Sequence, residues 1–203
     1  MKMYFTDVSP YARKCLVVAH ELGLLETIEL LPGHPHPINR DQQIISDNPL
    51  GKVPTLLTDN GLAVHDSRVI CEYLNSLVSG TLFPTSGNGR WVALSMQSMA
   101  DGMLDSAVLA RYEDVLRPVQ LRWEQWRSGQ LNKCETALAY LDAKPDLLRS
   151  QDVHIGTLSM ACALWYLDLR FESFGWRDRY PIVADWYSTF SQRDSLQATW
   201  KLP

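Results

Sequence analysis

The four cysteines of the chain, Cys15, Cys71, Cys134 and Cys162, include no CxxC pair. Their scatter offers no zinc-ligand spacing, and three of them fall in helical patterns among apolar neighbours, where a thiol serves as a small core residue. An excess of positive charge is lacking too. Nineteen Lys and Arg against 23 Asp and Glu leave a formal net charge of −4, which argues against a surface for nucleic acid or anionic lipid. No apolar run is long enough to span a bilayer. The opening Met1–Thr6 stretch is too short and too β-like for the apolar core of a signal peptide, so the cytoplasm is the expected location. His34 and His36 share a His-Pro-His-Pro loop; they are too few for a metal site, and no metal is expected. Internal repeats and low-complexity tails are absent from the sequence as well.

What is present is an ordinary folding composition: 46% of the 203 residues are hydrophobic and 21% charged, enough to bury one large core or two small ones. The first eighty residues alternate between strand and helix patterns. Met3–Thr6 reads as a strand. Ser9-Pro10 opens a helix, serine at the cap and proline at the first helical position, with apolar residues continuing to a stop at Gly23. Residues 27–31 form a second strand ended by Pro32-Gly33, and a short helix is expected near 40–45. A strand, a turn at Asp59-Asn60-Gly61 and a returning strand span Val53–His65, and Ser67–Leu77 is a helix with one apolar stripe. The crossover implies parallel strands and the tight turn an antiparallel pair, so the sheet is mixed, in the order βαβ and then αββα.

A proline- and glycine-rich stretch around Phe83–Gly89 then reads as a linker. Beyond it only helical patterns follow, over 90–116, 119–143, 154–171 and 181–192, the third being apolar enough to be a buried central helix. The expected domains are therefore residues 1–79, a linker at 80–89, and an all-helical domain over 90–203.

The segment Asn48-Pro49-Leu50-Gly51-Lys52-Val53-Pro54-Thr55-Leu56, with Asp66-Ser67 twelve residues past Pro54, carries the chemistry. Proline removes a ladder donor, so Pro54 belongs at the first residue of a strand, and its bond to Val53 is a candidate cis peptide. Such a bond would turn the main-chain N–H and C=O of Val53 outward, ready to pair with an extended peptide. Asp66-Ser67 reads as a helix N-terminus, where orphan N–H groups and a serine hydroxyl suit a carboxylate. Two such anchors fit one small acidic peptide.

Together with Ser9-Pro10-Tyr11-Ala12-Arg13-Lys14, Ile70-Cys71-Glu72-Tyr73-Leu74 and the tail Arg193–Ala198, these motifs resemble the cytosolic glutathione S-transferase family, its bacterial members in particular, over nearly the whole chain. The resemblance implies α/β plus all-α architecture: a thioredoxin-like glutathione-binding domain followed by an all-helical C-terminal domain, in a homodimer. It implies glutathione as co-substrate, conjugated in detoxification to a small hydrophobic electrophile. By it, the Val53 main chain pairs with the cysteinyl part of glutathione, Asp66 answers the γ-glutamyl ammonium, Ser67 its carboxylate, and Lys52 reaches for the glycyl carboxylate. Plain helix capping is the alternative role of Asp66-Ser67, and simple solvation that of Lys52. A glutathione-dependent isomerase or dehalogenase, or a non-catalytic interaction protein of the same fold, are the alternative functions.

Ser9 is the catalytic candidate. A thiol of pKa about 8.5 lowered by about two units needs about 2.7 kcal/mol of preference for the anion. A hydroxyl bond to a charged sulfur contributes about 1.5–3 kcal/mol, and a helix N-terminus up to about 2. The alternative role for Ser9 is helix capping alone. Tyr11 is turned away from a ligand above Ser9, and Cys15 lies on the apolar stripe, where burial makes a thiol inert. Glutaredoxin-like members carry cysteine where Ser9 stands, which disfavours thiol–disulfide exchange here.

Several further residues have bland and sharp readings. Arg13 and Lys14 are expected to meet a helix carboxylate between the domains; the sharper role of Arg13 is positive potential under the thiolate. Asp101 and Asp105 share a face that is expected to be solvated, the alternative being contact with a partner subunit's glutathione. Met96, Met99, Met103, Tyr112 and Trp165 line either an electrophile pocket or the helical core. Trp123 and Trp126 are expected to pack. The family's central helix commonly begins with a Ser/Thr/Asn cap and an aspartate three residues on. The alignment puts His154-Ile155-Gly156-Thr157 there, so the capping box is expected to be lost at about 1 kcal/mol, and Thr157→Asp to raise the melting temperature.

Overall fold

The computed structural model of the chain describes residues 1–148 and 153–199. The chain divides into two compact units, Met1–Pro84 joined by the chain from Arg193, and Thr85–Gln192.

The first unit is built on β1 (Lys2–Phe5), α1 (Pro10–Glu21), β2 (Glu29–Pro32), α2 (Gln42–Asp47), β3 (Thr55–Leu57), β4 (Ala63–Val64) and α3 (Ser67–Leu77). Its four-stranded sheet has the order β2-β1-β3-β4, with β1 parallel to β2 and both other pairs antiparallel. This is the mixed, thioredoxin-like sheet expected from the sequence. β1 is central, and its run Met3-Tyr4-Phe5 is buried without alternation, as a strand covered on both faces requires. Thr58 closes the hairpin after β3: its hydroxyl accepts from the Leu62 N–H at 2.9 Å and donates to the Leu62 carbonyl at 3.0 Å.

α1 packs against α3 and also against α9 (Asp194–Ala198), the short helix at the end of the described chain. Covered on two sides, α1 buries every residue from Ala12 to Ala19, Arg13 and Lys14 included. Arg13 donates to the Leu196 carbonyl at 2.8 Å and the Thr199 carbonyl at 3.1 Å. The Leu196 carbonyl lies in the last turn of α9 and the Thr199 carbonyl at its C-cap, where main-chain carbonyls lack partners within the helix. At the other end of α1, Arg193 forks onto Glu21 at 2.9 and 2.8 Å, and the Ser195 hydroxyl donates to the same carboxylate. Burial works to raise the Glu21 pKa, but the bonds from Arg193 and Ser195 outweigh it and hold the carboxyl below its ordinary range.

The second unit holds α4 (Gly87–Val115), α5 (Glu124–Asp142), α6 (Ile155–Arg170), α7 (Trp176–Arg179) and α8 (Pro181–Phe190), with no strand among the described residues. α4 packs on both α5 and α6, and α8 on α5 and α7. α6 is buried continuously from Ile155 to Leu167, the central helix that its composition predicts. Gly156 admits α4 at close range: a Cβ there would lie 2.6 Å from the Ala93 carbonyl oxygen and 2.8 Å from Met96 Cβ.

Four expectations are corrected in this unit. The α6 capping box is present, not lost: His154 Nδ1 accepts from the Gly156 and Thr157 N–H groups at 3.1 and 3.3 Å, and Thr157 Oγ1 accepts from the His154 N–H at 3.1 Å. A neutral imidazole and a threonine hydroxyl supply the acceptors that serine and a carboxylate supply in the usual box. α5 begins at Glu124 and not at 119, because residues 119–121 form a single 3-10 turn after Pro118. Trp123 therefore stands ahead of the helix, 59% exposed, instead of packing. Its N–H donates to Glu113 at 2.8 Å, the main reason why the Glu113 carboxyl is held below its ordinary range, with Arg117 adding to the effect. Asp101 is buried rather than solvated, 1% exposed, while Asp105 is exposed.

Candidate functional site

Strand register brings three connections to one end of the sheet. β1 ends at Phe5 and leads into Thr6–Ser9. Because β3 is antiparallel to β1 with Thr55 opposite Tyr4, the residues before Thr55 arrive at that same end. Because β4 is antiparallel to β3 with Val64 opposite Leu56, His65-Asp66-Ser67 leaves from there too. Ser9, Lys52, Val53, Asp66 and Ser67 thus stand on converging segments of one unit, at the carboxyl end of its central strand.

Ser9 has extended dihedrals and caps α1, its Oγ accepting from the Ala12 N–H at 3.2 Å. Capping uses a lone pair. The hydroxyl proton meets no acceptor among the described residues, so capping and donation are compatible at one oxygen. Asp66 caps α3 in the same way, accepting from the Arg68 N–H at 2.9 Å, with its carboxylate exposed. Ser67, the first residue of α3, is buried, and its carbonyl lies 3.7 Å from Cys15 Sγ. Cys15 is itself fully buried, its sulfur 3.8 Å from that of Cys71. α1 is thereby tied beside the start of α3.

The Val53–Pro54 bond is cis, as is the bond joining His65 to Asp66. Val53 is half-buried, Lys52 is exposed, and the Val53 N–H and C=O make no main-chain hydrogen bond among the described residues. The loop that presents them is folded by Asn48, whose role the sequence reading missed. Asn48 Oδ1 accepts from the Leu50 N–H at 3.1 Å, and Nδ2 donates to Thr55 Oγ1 at 2.9 Å and to the Lys52 carbonyl at 3.3 Å. Thr55 Oγ1 in turn donates to the Lys52 carbonyl at 2.9 Å. Gly33 completes the support: a Cβ there would lie 2.9 Å from Ile44 Cδ1 and 3.1 Å from Val53 Cγ1. An asparagine immediately before Pro-Leu-Gly is the signal that points to such a loop, since its amide satisfies its own downstream backbone.

The other candidates belong to the helical unit. Met96, Met103 and Trp165 are buried core residues of the helical unit, while Tyr112 is 36% exposed. No group of three or more His, Cys, Asp or Glu among the described residues is placed to hold a metal ion. No helix among them is long and apolar enough to cross a membrane.

Residues 8–77 match the family model for the glutathione S-transferase N-terminal domain. The chain is 28% identical over 202 residues to the uncharacterized GST-like protein YibF of Escherichia coli (strain K12), covering 98% of each. Among solved structures it is similar to a glutathione transferase family member from Pseudomonas fluorescens Pf-5 with bound glutathione. That match has 41% identity and a TM-score of 0.96, covering 100% of this chain and 99% of the other. It is also similar, at 40% identity, a TM-score of 0.91 and 100% coverage of both, to a structure of a Pseudomonas fluorescens Pf-5 family member with bound S-(propanoic acid)-glutathione.

Proposed function

This chain belongs to the glutathione S-transferase family, and from that premise we propose that it stabilises the thiolate of bound glutathione through Ser9 and conjugates it to a small apolar electrophile. The observation that carries the reading is the Ser9 hydroxyl, held on the α1 N-terminus by its lone pair with its proton unspent. In this reading the Val53 main chain pairs with the cysteinyl residue of glutathione, Asp66 and Ser67 hold its γ-glutamyl end, and Lys52 neutralises the glycyl carboxylate. Ser9 donates to the sulfur and does not attack. The rate gain comes from holding a reactive anion beside its electrophile. The Pseudomonas fluorescens relatives bound to glutathione and to an S-substituted glutathione support the ligand and the class of product. The active form in this reading is a cytoplasmic homodimer, which analytical ultracentrifugation would register at twice the mass of the chain.

The test is isothermal titration of glutathione into the wild type and Ser9→Ala, with thiolate absorbance followed against pH. Wild type is expected to bind glutathione with a thiol pKa lowered by about two units, and Ser9→Ala to bind it with the thiol back near its free value. Absence of binding to the wild type would overturn the proposal. Binding with an unshifted thiol in both proteins would remove Ser9 from the chemistry.

A further inference from the structure

Two of the four cysteines touch each other. Cys15 of α1 and Cys71 of α3 stand 56 residues apart in the chain, and the Cys71 thiol donates to the Cys15 sulfur at 3.8 Å. No disulfide joins them, and both are fully buried. Cys134 shows what a core thiol otherwise looks like in this protein: it donates to the Met103 carbonyl at 3.4 Å, and burial pushes its pKa up to about 12. Filling the seam between α1 and α3 takes a small apolar residue at each position, not two sulfurs in contact.

A disulfide bond is about 2.05 Å long, so sulfurs at 3.8 Å must close by about 1.8 Å to form one. Both cysteines belong to the N-terminal unit and sit within helices that pack directly on each other. That packing holds the sulfurs as neighbours, so a reactive group formed on one meets the other before anything else. Burial sets how quickly an oxidant arrives, and it shuts out one as large as oxidised glutathione. Hydrogen peroxide, little larger than water, reaches such a seam. Closing the bond also has a consequence at both helix N-termini. The Cys15 thiol donates to the Ser67 carbonyl at 3.7 Å, a bond that is lost with its proton. Ser9 caps α1 and Asp66 caps α3, so a shift between the two helices moves the Ser9 hydroxyl relative to Asp66 and Ser67.

We propose that Cys15 and Cys71 are a modification site at which hydrogen peroxide forms a disulfide between α1 and α3, and that this bond weakens glutathione binding, the second half resting on the glutathione reading. In the first step one cysteine sulfur, as thiolate, attacks a peroxide oxygen. The O–O bond breaks, a sulfenic acid forms, and the departing hydroxide takes the thiol's proton to become water. In the second step the other sulfur attacks the sulfenic sulfur, the S–O bond breaks, and that hydroxide leaves as water with the second thiol's proton. The two thiols give up two electrons and two protons, and one peroxide becomes two waters. The test treats the full chain with peroxide, removes the excess, and maps the denatured, alkylated protein by mass spectrometry. Expected are a peptide joining Cys15 to Cys71 and uptake of two alkyl groups where the reduced chain, with its four cysteines, takes up four. S-methylglutathione, which has no thiol to reduce the bond, is then titrated into the folded protein. The oxidised form is expected to bind it about three- to tenfold more weakly, the equivalent of about one net hydrogen bond, and dithiothreitol to restore the affinity. Cys71→Ala is expected to bind as reduced wild type does and to keep that affinity after peroxide; should it melt early, Cys15→Ala gives the same reading. Absence of the linked peptide, or linkage to Cys134 or Cys162 instead, would overturn the proposal. Equal affinity in the oxidised and reduced protein, or a peroxide effect that survives in both alanine variants, would overturn the control over binding. No binding of S-methylglutathione to the reduced protein is failure of the glutathione reading, whereas the linked peptide scores the disulfide without it.

Discussion

A hydroxyl has two lone pairs and one proton, and Ser9 spends only a lone pair on the structure, at the Ala12 N–H. Its two roles separate by substitution. Ser9→Ala loses both cap and donor, at about 1 kcal/mol of stability, whereas Ser9→Gly loses the donor but only a few tenths of the capping energy. Both variants are therefore expected to raise the bound thiol pKa equally while only Ser9→Ala lowers the melting temperature appreciably. A glycine variant that still depresses the thiol pKa would assign the effect to the helix N-terminus instead. Asn48 is the second residue on which the site turns. Asn48→Ala removes bonds to Leu50, Lys52 and Thr55, and at about 1 kcal/mol each is expected to cost about 2–3 kcal/mol in urea unfolding. Glutathione affinity should fall with it, since the same bonds present Val53. Gly33→Ala tests the support from the other side: its new Cβ meets Ile44 and Val53 within 3.1 Å. It is expected to cost about 1–3 kcal/mol by overpacking, with weaker glutathione binding; unchanged affinity in a destabilised protein would detach Val53 from the ligand.

Elements were legible where short-range chemistry sets their ends. Asp66-Ser67 marks the start of α3 by capping, and the helix runs over Ser67–Leu77 as its apolar stripe predicts. Legibility fails where an element depends on distant partners. α9 is five residues long, too short for any periodicity, and it is held by Arg13 and Glu21 from the far end of the chain. The α6 cap was misread for a different reason. Residue type suggested a missing carboxylate, yet His154 and Thr157 complete the box by geometry. Thr157→Asp therefore has no missing cap to restore. The informative change is Thr157→Val, near-isosteric and without the acceptor for the His154 N–H, expected to lower stability by about 1 kcal/mol. A variant as stable as wild type would show that the box contributes nothing to α6.

At the scale of the whole molecule, the N-terminal unit is completed by the end of the chain, since α1 is packed between α3 and α9. Acid should loosen that closure. The Glu21 carboxyl is held below its ordinary value, so the unfolded state binds its proton first as pH falls. Its contribution to stability is full above the unfolded glutamate value of about 4.3 and is lost as pH drops through the lower folded value. Glu21→Gln is accordingly expected to flatten the acid limb of a stability–pH profile while leaving neutral pH as its point of greatest loss. Removing the closure altogether is the stronger experiment. A chain ending at Gln192 loses both carbonyls that Arg13 meets and both side chains that meet Glu21, leaving a buried guanidinium and a part-buried carboxylate without those bonds. Such losses run to at least about 3 kcal/mol, and they fall on the helix whose N-terminus carries Ser9. The truncated chain should therefore lose glutathione affinity and show earlier unfolding of the N-terminal unit, while the helical unit, none of whose described elements is removed, keeps its helical circular dichroism. Full glutathione affinity and an unshifted melting curve in the truncated chain would mean that α9 only rests on α1, and that the N-terminal unit is stable without it.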